Sequence, residues 1–325
     1  MNLAALLQDI PVRADAAWQQ IEVRGLEYDS RRVEAGFVFF AFPGSRTSGA
    51  LYARQAVERG AVAVVSELEP PADFPAPWIR VEHGRRALAL ISLRFYGNPD
   101  RRLRLAGVTG TNGKTTTVFA IDSMLRHAGR TTGMAGTGLY RIAGREWPAV
   151  NTTPESLDLV RMMDELARSG GTDFLFEVSS HALALERVYG LQFHTAVFTN
   201  FTQDHLDFHG TMEEYFKAKH RLFEGAGGPK PKFAVVNADD SWSAKIVTAR
   251  ETERWSYGLS EGADFRVTGI DTGFHGVRFT VEHPRGRTRI ESPLCGLINV
   301  YNLSAAFAAG ISLGLDPEAA AAGLA

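Results

Sequence analysis

Between Val108 and Thr117 the chain reads VTGTNGKTTT, placing two glycines, a lysine and a run of threonines where a strand-like apolar segment gives way to a helix-like one. Glycines let backbone N–H groups approach a phosphate closely, and a helix N-terminus adds partial positive charge. Lys114 can reach the outer phosphates of a nucleotide, and the Thr115 hydroxyl suits Mg²⁺. One position departs from the general phosphate loop: Val108 stands where its first glycine is usual. The stretch nevertheless predicts a nucleoside-triphosphate site made by Thr109, Gly110, Thr111, Asn112, Gly113, Lys114, Thr115 and Thr116.

A second lysine sits in an unusual place. TMEEYFKAKHRLFE (211–224) predicts a helix opened by a capping box of Thr211 and Glu214. Tyr215, Phe216, Leu222 and Phe223 share one face, with Lys219 in the middle of that stripe and Lys217 and Arg221 opposite. A buried ammonium is costly unless it is paired or neutralised. Either Lys219 snorkels to the helix edge, or it faces the nucleotide site with its charge compensated by chemistry.

Acid and imidazole groups follow two further apolar runs. Glu177 lies at the end of FLFEV (174–178), and TNFTQDHLDFHG (199–210) follows the next run. In open α/β sheets, ligands bind beyond the carboxyl ends of the strands. Glu177 and His205 placed there could both ligate a divalent cation. The plainer alternatives are a cap or salt bridge for the glutamate and a polar loop for DHLDFH. NTTPE (151–155) is by itself a polar turn into a helix.

The elements that must position these groups fall into two sections. Residues 1 to about 83 predict a small α/β unit, with strands at 38–41 and 61–65, a helical stretch over 51–60 and a helix over 85–96. The GNPDRR cluster after it marks a boundary, which gives domains at 1–98 and 99–325. From Leu103 onward, strands (103–108, 174–178, 196–200, 233–237) alternate with helical segments. That pattern predicts a mostly parallel, doubly wound sheet. Residues 263–292 alternate at period two around Gly273, Gly276 and Gly286, predicting a small antiparallel element beside the main sheet. The fold class is therefore α/β throughout.

Composition excludes several classes. The 325 residues carry 35 Lys+Arg against 37 Asp+Glu, and a net charge of −2 gives no footprint for nucleic-acid or membrane-surface binding. Cys295 is the single cysteine, so neither an internal disulfide framework nor a cysteine zinc site is available. With an N-terminus that lacks a basic leader, this predicts a cytoplasmic protein. The uncharged stretch 293–315 contains Asn299 and Asn302, which are costly in lipid; it predicts a loop and a buried Ala-rich helix, not a membrane span.

Taken together, these pieces resemble the Mur ligases, ATP-dependent amide-forming enzymes of peptidoglycan precursor synthesis. Within that family they are similar to the members that add the third amino acid to UDP-MurNAc-L-Ala-D-Glu. The resemblance runs through YDSRRV (28–33), Pro43-Gly44, Gly60-Ala61, TGTNGKTTT (109–117), NTTPE (151–155), EVSSHAL (177–183), DHLDFHG (204–210) and YFKAKHRLF (215–223), in order and over essentially the whole chain. NTTPE with EVSSH separates it from the members that add D-alanyl-D-alanine. Two features depart from the family pattern. PGSRTSGALY lacks the histidine and the acidic residue often seen there, and Leu185 stands where some members carry a glutamine that touches substrate.

The resemblance implies that Lys219 takes up CO2 as a carbamate, and that Thr115, Glu177, His205 and this carbamate hold Mg²⁺. It makes Lys114, Lys219 and His205 the candidate catalytic residues and places Asn302 near the adenine of ATP. It gives Tyr28, Ser30, Ser45, Arg46, Thr47, Asn151, Thr152, Thr153, Glu155, Ser179 and Arg187 to the UDP-muramoyl-dipeptide. The implied reaction activates the D-glutamyl carboxylate as an acyl phosphate, which an amino acid's amine then attacks. Residues 1–98 become the UDP-muramoyl domain with a linker helix, and 99–325 the ATP-binding central domain of a monomer. Its partners are UDP-MurNAc-L-Ala-D-Glu and an amino acid, without nucleic acid or membrane.

Two rivals remain. One is another ligase of the superfamily, such as folylpolyglutamate synthetase; the other is a non-catalytic nucleotide- and UDP-sugar-binding protein. Asp316-Pro317-Glu318 predicts a helix start, and the Ala-rich run after it reaches Ala325 without an evident cap. The expectation is a chain lacking a C-terminal amino-acid-binding domain, which binds its ligands weakly and does not form the amide alone.

Overall fold

The structure, a computed structural model, describes residues 1–14, 17–44 and 48–325. They form two compact units, Met1–Asn98 with Ser156–Arg161, and Pro99–Glu155 with Met162–Ala325.

The first unit contains α1 (Leu3–Leu6), β1 (Val12–Ala14), β2 (Gly25–Glu27), β3 (Phe37–Ala41), α2 (Ala53–Glu58), β4 (Ala63–Ser66), β5 (Trp78–Val81) and α3 (Gly84–Phe95). Its sheet runs β1-β5-β4-β3-β2, parallel except for β1. The run VFFA is apolar at every position because both faces of the sheet are covered. Val38 and Phe40 pack with Leu88 and Ile91 of α3, while Phe39 and Ala41 pack with Ala53 and Ala56 of α2. The helical stretch expected over 51–60 is a 3₁₀ turn, Gly49–Tyr52, followed by the shorter α2. Strands β1, β2 and β5 escaped the sequence reading, since at three or four residues they show too little alternation to register. Ser156–Arg161 joins this unit because Leu157 is buried in its core. The Arg161 guanidinium also donates to the Leu26 carbonyl at 2.7 Å and to Glu27 at 3.2 Å.

The second unit contains β6 (Arg104–Thr109), α4 (Lys114–His127), β7 (Thr132–Gly136), β8 (Leu139–Ile142), β9 (Arg145–Pro148), α5 (Ser156–Arg168, from Met162 on), β10 (Asp173–Glu177) and α6 (Ser180–Ala184). The chain continues through β11 (Phe193–Phe198), α7 (Leu206–His209), α8 (Met212–His220), β12 (Phe233–Asn237), β13 (Glu253–Gly258), β14 (Phe265–Gly273), β15 (Gly276–His283), β16 (Gly286–Ser292), α9 (Leu297–Ser312) and α10 (Pro317–Ala322).

Its 11-stranded sheet runs β16-β15-β14-β13-β12-β11-β6-β10-β7-β8-β9. The strands from β14 to β7 are parallel, and antiparallel strands close both edges. The period-two segment at 263–292 is β14, β15 and β16, continuous with the sheet. β10 flanks β6 on one side and β11 on the other, so the carboxyl end of β6 is a topological switch point where ligands bind.

α9 is the buried Ala-rich helix expected from 293–315. No described helix is long and apolar enough to cross a membrane. Asp316 caps α10 by accepting from the N–H groups of Glu318 and Ala319. Gly323 is its C-cap, a signal the sequence reading passed over.

Candidate functional site

The phosphate loop is held open by what surrounds its glycines. β6 ends at Thr109, Gly110 and Gly113 take positive φ of 142° and 84°, and α4 begins at Lys114. A Cβ on Gly110 would lie 1.9 Å from Thr199 Oγ1, and one on Gly113 would lie 2.2 Å from Asn302 Oδ1. The turn after β11 braces the loop. Asn200 accepts from the Asn112 N–H at 2.9 Å and donates to the Asn112 carbonyl at 3.0 Å, to which Thr199 Oγ1 also donates at 2.6 Å. Asn302 is buried and donates to Asn299 at 3.1 Å, so its oxygen is left against Gly113. Thr109 is fully buried at the end of its strand.

Gly113→Ala is therefore expected to lower thermal stability by about 1–2 kcal/mol for the left-handed backbone alone, with a further loss from the clash. Adding Asn302→Ala relieves the clash and leaves the backbone cost. Denaturation midpoints of the single and double variants measure both parts, and equal midpoints would count against the contact.

Lys219 does not snorkel. Only 1% of it is exposed, and Tyr215 and Phe216 beside it on α8 are buried as well. Its Nζ donates to the Gly110 carbonyl at 2.7 Å and lies 4.6 Å from the centre of the Tyr215 ring. Burial pushes its pKa well below the ordinary lysine value; the nearby Lys114 charge adds to this, and Asp204 opposes it. Lys114 is lowered too, by burial, against the pull of Glu177 and Asp204. Its Nζ donates to the same Gly110 carbonyl at 3.1 Å and to that of Thr111 at 2.8 Å. Lys217 is exposed as expected, but Arg221 is half-buried, donating to the Leu183 carbonyl and pairing with Glu186.

Glu177, Thr115, His205, Lys114 and Lys219 line one cavity of about 320 Å³. Glu177 is 1% exposed. Its Oε1 accepts from Thr115 Oγ1 at 2.8 Å and from the Thr137 N–H at 2.7 Å. A Cβ on Gly136 would fall 2.6 Å from that oxygen, so the strand end must be a glycine to admit the carboxylate. Among the described residues Oε2 has only the Thr137 hydroxyl, at 3.4 Å, and is the oxygen open to a cation. His205 sits at positive φ, half-exposed on the cavity wall.

Among the described residues no group of three or more His, Cys, Asp or Glu is placed to hold a metal. The cation donors expected from the sequence that line this cavity are the Glu177 carboxylate, the Thr115 hydroxyl and the His205 imidazole. A carboxylate and a hydroxyl fit Mg²⁺, which keeps few protein ligands and takes the rest from phosphate and water. A protonated Lys219 opposes any cation there; its neutral amine, or the anion made by adding CO2, fits.

Other residues named from the sequence surround the same carboxylate. Thr153 is fully buried; its Oγ1 donates to the Glu177 carbonyl at 2.7 Å and accepts the Ser179 N–H at 3.1 Å. Thr152 Oγ1 lies 3.0 Å from Thr137 Oγ1. Ser179 caps α6 through the Ala182 N–H. Arg187 pairs with Glu155 at 2.8 Å and donates to the Thr153 carbonyl at 3.0 Å. Asn151 is exposed, with its N–H bonded to the Tyr140 hydroxyl at 3.0 Å. Thr116 lies on α4 next to Thr115.

Tyr28 and Ser30 belong to the first unit, where they line a cavity of about 600 Å³ with Phe42, Tyr52 and Gln55. Ser30 donates to Gln55 at 2.8 Å. Ser45, Arg46 and Thr47 lie outside the described residues.

Sequence reasoning missed Thr137 and the bracing role of Thr199 and Asn200. It also missed the imidazole cluster, in which the His181 ring lies 4.8 Å from that of His205 and 5.6 Å from that of His209. Burial lowers the pKa of both His181 and His209. The GTG turn at 136–138 offered the one usable signal, a threonine between glycines after an apolar run.

Comparison with known proteins places this geometry. Residues 108–310 match the family model for the Mur ligase middle domain, and residues 22–96 match that for the Mur ligase family, catalytic domain. The chain is 56% identical over its whole length to UDP-N-acetylmuramoyl-L-alanyl-D-glutamate–2,6-diaminopimelate ligase of Solibacter usitatus, covering 66% of that protein. It is 44% identical over 97% of its length to the ligase of the same name from Geobacillus thermodenitrificans, covering 65% of it. A solved structure of a ligase so named superposes with a TM-score of 0.87 at 30% identity, over all of this chain and 66% of that one. The chain thus spans about two thirds of the length of the relatives it matches. The middle-domain match runs from the end of β6 through α9, over the phosphate loop, Glu177, His205 and Lys219, and the chain belongs to the Mur ligase family.

Proposed function

We propose that the chain is the nucleotide- and UDP-muramoyl-peptide-binding part of an ATP-dependent ligase that joins an amino acid to UDP-MurNAc-L-Ala-D-Glu. The observation that carries this reading is the single cavity in which the loop lysine, Thr115, Glu177, His205 and a buried lysine meet. 2,6-Diaminopimelate, named for the relatives of this chain, is the proposed amino acid. The cytoplasm is its proposed setting, consistent with one exposed, unpaired cysteine.

In this reading the D-glutamyl carboxylate attacks the γ-phosphorus of ATP, ADP leaves, and an acyl phosphate forms. The amine then displaces phosphate. Lys114 exchanges its two carbonyl partners for phosphate oxygens, and the N-terminal turn of α4 offers its partial positive charge to the same anion. Because Thr115 gives its proton to Glu177, its lone pairs are left for a cation. Thr115, Glu177 and His205 would hold Mg²⁺, which would supply charge neutralisation on the phosphates. Burial keeps Lys219 inclined to the neutral amine, the form that adds CO2: the nitrogen bonds to carbon and loses one proton. The carbamate so formed places a negative charge beside Lys114 and holds it as a cation.

The test is calorimetric titration of the chain with a non-hydrolysable ATP analogue in Mg²⁺, and separately with UDP-MurNAc-L-Ala-D-Glu. Saturable binding of both supports the reading. Failure of the muramoyl ligand alone would leave a nucleotide-binding protein of another substrate class.

A further inference from the structure

Thr137 has no place in the chemistry described so far, yet it touches both sides of the site. Its backbone N–H donates to Glu177 Oε1 at 2.7 Å, and its hydroxyl lies 3.4 Å from Oε2 of the same carboxylate. That hydroxyl is also 3.0 Å from the Thr152 hydroxyl, in the NTTPE turn. The two hydroxyls and the carboxylate form a chain from the cation side of the cavity to the turn proposed to hold the muramoyl peptide. The backbone on either side is anchored. Thr153 Oγ1 bonds the Glu177 carbonyl at 2.7 Å, and the missing side chain of Gly136 lets the carboxylate sit against the end of β7.

A hydroxyl has one proton, so such a chain has a direction. A bare carboxylate only accepts. Thr137 then turns its proton toward Glu177 Oε2 and offers lone pairs to Thr152, whose own proton is used on Thr137. A cation on Glu177 Oε2 removes that attraction. Thr137 can then rotate and donate to Thr152, which frees the Thr152 proton for an oxygen of the ligand. Rotation of one hydroxyl is a two-state element that both sites can bias, which is the requirement for coupling.

We propose that Thr137 is a positioning residue whose hydroxyl couples cation–nucleotide occupancy at Glu177 to the hydrogen-bonding polarity of Thr152. Thr152 then donates to an oxygen acceptor of the peptide ligand once the nucleotide side is filled. This rests on the proposed ligands, and the experiment separates the two claims.

The experiment measures the Kd of a non-hydrolysable ATP analogue in Mg²⁺, with and without saturating UDP-MurNAc-L-Ala-D-Glu, and the Kd of the latter with and without the former. In the wild-type chain each ligand is expected to tighten the other by the same factor, about 5-fold or more. Thr137→Val keeps the backbone N–H and loses the hydroxyl, so the factor falls toward one while each ligand alone still binds. Thr137→Ser restores the hydroxyl and the factor, a rescue that a purely structural threonine would not show. Glu177→Gln abolishes the coupling and also weakens the nucleotide alone. An undiminished factor in Thr137→Val, or ligands that bind the wild type independently, overturns the inference and leaves the proposed function standing. Absence of muramoyl-peptide binding by the wild type overturns the functional reading and this inference with it.

Discussion

In a complete ligase carrying this site, Lys219→Ala is expected to lower substrate-dependent phosphate release from ATP by about 10²–10³-fold, the cost of removing one preorganised electrostatic group. The cause is local. Lys219 is 1% exposed, donates to the Gly110 carbonyl, and shares that carbonyl with Lys114. Two ammonium groups on one carbonyl repel, and burial raises the cost of charging either. The proposed carbamate at Lys219 would turn that repulsion into attraction.

A readout that needs no turnover is a carbon-13 signal in the carbamate region when the protein is equilibrated with labelled CO2. It should be present in the wild type and absent in Lys219→Ala. Stability gives a second check. The folded pKa of Lys219 is lowered from 10.5, so between the folded value and 10.5 the unfolded chain binds more protons. Wild-type stability relative to Lys219→Met therefore rises with pH through that window, measured without CO2, and levels off above it. A difference that is flat with pH would mean that the amine titrates as in water, and full phosphate release by Lys219→Ala would remove it from the chemistry.

The phosphate loop was legible because its chemistry demands a contiguous pattern: glycines at Gly110 and Gly113 with positive φ, then a lysine opening a helix. Lys219 was half legible. Helical periodicity put it in an apolar stripe, but only packing decides whether a lysine snorkels. Burial of Tyr215 and Phe216 on the same helix closes that route. Thr137 was not legible, because its role comes from β7 and β10 being neighbours in the sheet, 40 residues apart in the chain.

The same reason hid the bracing of Asn112 by Asn200, 88 residues away. Strands β7, β8, β9 and β13 were missed for a different cause. Thr132–Gly136 contains two glycines, and Glu253–Gly258 shows neither clean alternation nor a continuous apolar run. Sheet position, not intrinsic preference, makes these segments strands.

Lys114→Ala is expected to weaken ATP binding by about 10–100-fold, since a hydrogen bond to a charged group contributes about 1.5–3 kcal/mol and 1.4 kcal/mol is a factor of ten. The ammonium is poised for this exchange. It is held by two neutral carbonyls, those of Gly110 and Thr111, in a site where burial already lowers its pKa. A phosphate offers oxygens with full charge and stronger, charge-assisted bonds. The loss should be graded by the ligand: large for ATP, smaller for ADP and small for AMP, whose single phosphate does not reach the outer position. Lys114→Arg is not expected to rescue, because a planar guanidinium does not reproduce the compact charge that fits between the loop and Lys219. Calorimetry with the three nucleotides at one salt concentration measures the gradient. Equal losses for ATP and AMP would point to collapse of the loop, and unchanged ATP affinity would show that Lys114 stays on its carbonyls when nucleotide is bound.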